Sequence, residues 1–145
     1  ASNERWLCAS ASYLKENGAP IAPEDLAAHR CICIRENDEH ATYWHLRRDN
    51  ESKSLRIFPS MVSNDGGVAR RWAEQDLGLV LRSQWDVVDS IAQGTLIRVL
   101  ADWEFETAPI LLLIPTRKNR SRKIHALASF LSESFKTKGA EKSRS

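Results

Sequence analysis

The chain has 145 residues, 42% hydrophobic and 28% charged, which is one domain's worth of sequence with enough apolar material for a core. Lys and Arg number 21 against 19 Asp and Glu, and this near balance excludes a strong global field for nucleic acid or an anionic membrane. No run approaches the ~20 apolar residues that span a bilayer, and "ASNERWLCASASYL" lacks the basic segment and apolar stretch of a leader, so the expectation is a soluble, cytoplasmic protein with no membrane partner.

Trp6 to Ala9 read as a strand feeding a helix that Ser10 caps and Gly18 ends. In "APIAPEDLAAHRCICIR", Pro23 suits a first helical position, Glu24 and Asp25 favour the positive end of that helix, and Cys31 to Arg35 form the next strand. "TYWHLRR" and "KSLRIFP" alternate apolar and polar residues across a link, Asp49-Asn50-Glu51-Ser52, and predict an antiparallel hairpin. Met61 and Val62 end a strand, Asn64 is the expected cap, and helical spacing runs from Val68 to Leu77 until Gly78 closes it before the strand "LVLRS". Ser83 with Asp86 makes a capping-box pattern for the helix "QWDVVDSIAQ", which Gly94 ends. A strand "TLIRVL", an irregular "ADWEFETA" and the apolar strand "PILLLIP" follow. The last helix, capped by Ser121, carries Ile124, Leu127, Ala128, Leu131 and Phe135 on one face, and its polar tail predicts no structure. There is no internal repeat, and the order of elements is α/β with one hairpin.

The stretch "SNDGG" joins a strand directly to a helix whose first N–H groups have no internal partner, and Gly66 and Gly67 would leave them open to a small anion. A cap and tight turn explain the same residues. His29, Cys31 and Cys33 would share one side of an extended strand, but no acid lies at a spacing that orients them, so buried inert thiols are expected and no catalytic residue is assigned. His40, His45 and His125 form no pair that seeds a metal site, and no cofactor is expected. The basic run "TRKNRSRK" has no interleaved aromatic and reads as a solvated loop, while the five tryptophans are scattered and read as core or rim.

The succession A-S-x-x-Y-L, P-x-D-L-x-x-H-x-C, N-D-G, G-L, L-A-D-W and the final "PILLLIPTRKNRSRKIHALASFLSESF" resembles, over nearly the whole chain, the C-terminal effector-binding domain of LysR-type transcriptional regulators. Family members commonly have proline where this chain has Ala11. The resemblance implies an α/β, periplasmic-binding-protein-like (type 2) lobe with a mixed, mostly parallel sheet flanked by helices. Residues 1–108 would be the second lobe, 109–136 the returning strand and helix of the first, and 137–145 a polar tail, with the winged helix-turn-helix that reads DNA lying outside this chain. It further implies a non-enzymatic sensor of a small effector, often a carboxylate, in a homodimer or homotetramer that meets DNA only through that other domain. The strand-to-helix turns then become the expected contacts: Ser63, Asn64, Asp65 and Gly66 first, Ala9 and Ser10 at a second strand end, and Pro109 and Ile110 at the crossing between lobes. A solute-binding protein of the periplasmic type and a small α/β enzyme built around the His29, Cys31 and Cys33 group are the alternatives.

Overall fold

The computed structural model describes residues 3–35, 42–109 and 122–142, with side chains of the last helix over 123–135. Two compact units emerge, one spanning Glu4–Thr107 and the other joining Ala1–Asn3 to Ala108–Ser145.

The larger unit runs β1 (Arg5–Ala9), α1 (Ala11–Asn17), a 3-10 helix (Pro23–Ala28), β2 (Cys31–Ile34), β3 (Thr42–Arg48), β4 (Glu51–Ile57), β5 (Met61–Ser63), α2 (Gly66–Glu74), β6 (Leu79–Ser83), α3 (Gln84–Ala92), β7 (Ile97–Val99) and β8 (Glu104–Phe105). Five strands form one sheet in the order β5-β2-β6-β1-β7, and β4-β3-β8 form a second. In the first sheet β2 is parallel to β5 and β6 whereas β1 is antiparallel to β6 and β7, so four strands share a direction and β1 alone is reversed. That reversal governs the placement of the site residues below.

Strand periodicity sorts the core into two layers, because successive side chains leave opposite faces. Leu7, Ala9, Cys31, Cys33, Leu79 and Leu81 face one way, into a cluster with Tyr13, Leu26 and the inner residues of the hairpin sheet, Trp44, Leu46, Ile57 and Phe105. Their in-between neighbours Cys8, Ile32 and Val80 face the other way, against Ala69 and Ala73 of α2 and Val87 of α3. With both faces covered, the central strands read as unbroken apolar runs rather than alternating ones. Burial drives the Cys8 and Cys31 thiols up to about 12 and the Cys33 thiol up to about 11, leaving all three protonated and free of disulfides.

Local signals set most element ends. Ser10 Oγ accepts the Tyr13 N–H at 3.1 Å to cap α1, and Gly18, at φ 77°, ends it. The hairpin forms as its alternation predicts, with Asp49 at φ 51° taking the turn and Glu51 and Ser52 drawn into β4, paired with Arg48 and Arg47. Helix α2 differs from the expectation at both ends. Asp65 rather than Asn64 is its cap, so it begins at Gly66 instead of Val68. Asp76, at φ 64°, ends it before Leu77, whose N–H reaches back to the Trp72 carbonyl at 3.1 Å. Gly78 serves the next step: a Cβ there would overlap the Arg30 carbonyl oxygen that accepts the Leu79 N–H at 2.8 Å, so only glycine lets β6 pass so close to β2. The segment "ADWEFETA" is not wholly irregular, since Glu104 and Phe105 pair with Arg47 and Leu46; two residues are too few for a periodic signal.

In the smaller unit Asn3 and Ala108 bind each other, Asn3 Nδ2 donating to the Ala108 carbonyl at 2.8 Å and the Ala108 N–H to the Asn3 carbonyl at 3.2 Å. Helix α4 (Arg122–Lys142) carries Ile124, Leu127 and Phe130 exposed. Its backbone stays helical through Lys142, so the polar residues 137–142, expected to lack structure, prolong it. The expected strand "PILLLIP", the Ser121 cap, Ile110, His40 and most of "TRKNRSRK" lie outside the described residues.

Candidate functional site

Ser63, Asn64, Asp65 and Gly66 form one continuous turn where β5 enters α2. Ser63 Oγ accepts the Asp65 N–H at 3.0 Å. The Asp65 carboxylate folds back onto the helix start and accepts from Gly67 N–H at 2.7 Å and Val68 N–H at 3.0 Å. The cradle for an anion that the two glycines suggest is therefore filled by the protein's own carboxylate. Those N–H groups, Val68 first, hold the Asp65 carboxyl below the usual carboxylate range, with Arg71 and Arg82 adding to the effect. Asn64, displaced from the capping role, is exposed, and its amide makes no hydrogen bond to any described residue.

The same sheet edge gathers other polar groups. Ser63 aligns with Ile34, and its carbonyl accepts the Arg35 N–H at 2.9 Å. Arg5 aligns with Ser83, and Glu4 accepts the Gln84 N–H at 2.8 Å, so the unit begins at this edge. Arg5, Arg35, Arg71 and Arg82 bring positive charge here, partly offset by Asp65 and Asp86.

Ala9 and Ser10 do not join that edge. Because β1 runs against β6, its carboxyl end pairs towards the start of β6 and β7, at the opposite end of the sheet from Ser63. Nor is there an open mouth: Ala9 is 0% and Ser10 4% exposed, and the Ser10 hydroxyl donates to Asp76 Oδ1 at 2.5 Å while capping α1. Strand direction and burial set these two residues apart from the Ser63 turn. Pro109 is exposed and belongs to the smaller unit, and its neighbour Ile110 lies outside the described residues.

The thiol and histidine group also separates. Cys31 Sγ points back to the Leu26 carbonyl at 3.8 Å and Cys33 packs two residues on, both buried. His29 sits before the strand, its Nδ1 3.1 Å from Tyr13 Oη, which accepts the Arg30 N–H at 3.0 Å. Burial lowers the His29 pKa. Among the described residues no group of His, Cys, Asp or Glu could hold a metal ion, and no helix is long and apolar enough to cross a membrane. Sequence reasoning missed Arg82; an arginine near the end of an apolar strand and four residues before an aspartate was the available signal.

Comparison with known proteins gives one answer at every level. Residues 1–136 match the family model described as LysR substrate binding domain. The chain is 33% identical over 135 residues to the HTH-type transcriptional regulator DmlR of Escherichia coli (strain K12), covering 93% of this chain and 44% of that protein. It is 32% identical over 129 residues to the HTH-type transcriptional activator TtdR of the same strain, covering 89% and 41%. Among solved structures it is similar to the regulatory domain of AphB in Vibrio vulnificus, with a TM-score of 0.66 at 25% identity over 73% of this chain and 52% of that one. The regulatory domain of CrgA, a LysR-type transcriptional regulator from Neisseria meningitidis, gives 0.62 at 26% over 74% and 54%. The chain spans less than half the length of the curated relatives it matches. With the family model matching 136 of 145 residues, this chain belongs to the LysR substrate binding domain family.

Proposed function

We propose that this chain is most of the effector-sensing domain's second lobe, residues 1–108, with a returning strand and helix of the first lobe in 109–136, within a cytoplasmic LysR-type regulator. The observation that carries the reading is the match over residues 1–136 to a substrate-binding family whose curated relatives are transcriptional regulators. The Ser63–Gly66 turn supports it from the physical side. There a free Asn64 amide, an intermediate-exposure Gly66 backbone and nearby arginines meet at one sheet edge, suited to hydrogen bonding a small polar or carboxylated metabolite.

The protein is a sensor without catalysis, and its thiols, pushed to about 12 and 11, are packing groups. Effector binding acts by population shift: a metabolite that prefers one lobe arrangement moves the equilibrium towards it, and the subunits of a homodimer or homotetramer then present their DNA-binding heads differently. DNA is met only through a helix-turn-helix domain outside this chain. The test is DNA affinity of the complete regulator with and without candidate small carboxylates. Coupling of the usual size changes that affinity by roughly 5- to 150-fold. Turnover of a substrate that is lost in Cys31→Ser would contradict the sensor reading.

A further inference from the structure

Arg82, the residue before the last of β6, reaches over the start of α2. Its Nε donates to Asp86 Oδ2 at 2.8 Å, and its side chain is only 19% exposed. A methyl group placed on Gly66 would overlap the terminal atoms of this guanidinium. The far end of a free arginine would swing aside, but this one is tethered. Asp86 in turn binds Arg70 of α2, its carbonyl accepting from Arg70 Nη1 at 2.9 Å and its Oδ1 lying 3.3 Å from the same nitrogen. Glu74, one turn further along α2, stands 3.6 Å from Arg70 Nε and accepts the Ser90 hydroxyl of α3 at 2.7 Å. Polar contacts thus run from Arg82 through Asp86 to Arg70, Glu74 and Ser90, linking β6, α2 and α3, while the guanidinium packs over Gly66.

We infer that Arg82 is a positioning residue for the Ser63–Gly66 segment, roofing Gly66 and fixing the backbone from which Asn64 projects, so that movement of the segment is passed to α3. The assignment rests on reading that segment as the effector contact. It also explains why position 66 is glycine. Gly66 is not among the glycines with positive φ, so the backbone would accept a side chain, and the three nearest atoms that a Cβ would meet all belong to the guanidinium.

The test is a double-mutant cycle in the complete regulator with wild type, Gly66→Ala, Arg82→Ala and the double variant. Gly66→Ala is expected to lower the melting temperature in the wild-type background. With the guanidinium gone, the same change becomes neutral or raises it, because alanine favours a helix over glycine. Hydrogen exchange supplies the local readout: Arg82→Ala, and also Arg82→Lys, which keeps the charge but cannot hold Asp86 through Nε while covering Gly66, speed exchange several-fold at the Gly67 and Val68 amides and leave Val80 and Leu81 unchanged. Equal cost of Gly66→Ala in both backgrounds, or exchange at Gly67 and Val68 unmoved in both arginine variants, overturns the assignment. Acetate, succinate and citrate titrated into the same four proteins test the effector reading separately, since the cycle and the exchange rates need no ligand.

Discussion

The turn after β1 and the turn after β5 are built alike in sequence, a serine at a strand end with a helix starting within three residues, yet Ser10 is 4% exposed and Asn64 is open. At the first, the hydroxyl is consumed between Tyr13 N–H and the Asp76 carboxylate, deep in the fold. At the second, Ser63 and Asp65 satisfy the turn's own backbone, and Asn64 stays exposed, where the proposed reading has it meet the effector. The difference comes from strand direction: β1 is the one reversed strand, so its carboxyl end lies with the amino ends of its neighbours. A strand-to-helix turn becomes a ligand mouth only when neighbouring strands end beside it.

The comparison breaks most easily at Ser10. Replacing it with alanine leaves the Asp76 carboxylate and the Tyr13 N–H without their partner, and the expected loss in chemical denaturation is about 1–3 kcal/mol, with effector affinity unchanged. Asn64→Ala should do the reverse, shifting stability by no more than about 0.5 kcal/mol while weakening effector binding about tenfold in titration calorimetry, the size of one hydrogen bond.

Acid sharpens the contrast. The folded pKa of Asp65 lies below its unfolded value, so its contribution is complete above about pH 4 and disappears as pH falls through the depressed folded value. Asp65→Asn should therefore flatten the acid limb of a stability profile, and a profile unchanged by that variant would contradict the capping geometry. His29 works in the same direction at higher pH: burial lowers its folded pKa, so its contribution holds above about pH 6.5 and shrinks on acidification, and His29→Gln should remove that slope. The smallest expected effect concerns the thiols. At pH 8 the folded protein should take up no alkylating reagent at Cys8, Cys31 or Cys33 until it unfolds, because thiols near 11 to 12 are almost wholly protonated and buried.

Much of this was legible in the sequence because local chemistry dictates it: the Ser10 cap, the hairpin alternation and the strand-helix order all follow from short-range rules. What stayed hidden depends on partners far along the chain. Asn64 and Asp65 are both good caps, and the choice between them fixes where α2 begins; with nearby arginines favouring the carboxylate, Asp65 takes the role. Asp86 matches a capping-box position after Ser83, but Arg82 and Arg70 claim its carboxylate, and Ser83 makes no side-chain cap bond to the helix. The two-residue β8 is defined by its pairing with β3, which no window of sequence contains. That Ala9 and Ser10 lie at the opposite end of the sheet from Ser63 has the same origin, since a strand's direction in a sheet is a property of its neighbours.

The most direct measurement is a thermal-shift screen of small carboxylates against the complete regulator, with wild type, Asn64→Ala and Ser10→Ala side by side. A compound that binds only the folded state at a hundred times its dissociation constant should add about 2.7 kcal/mol to the wild type. The account predicts that Ser10→Ala keeps this increment and Asn64→Ala loses most of it; an increment kept by Asn64→Ala and lost by Ser10→Ala would contradict it.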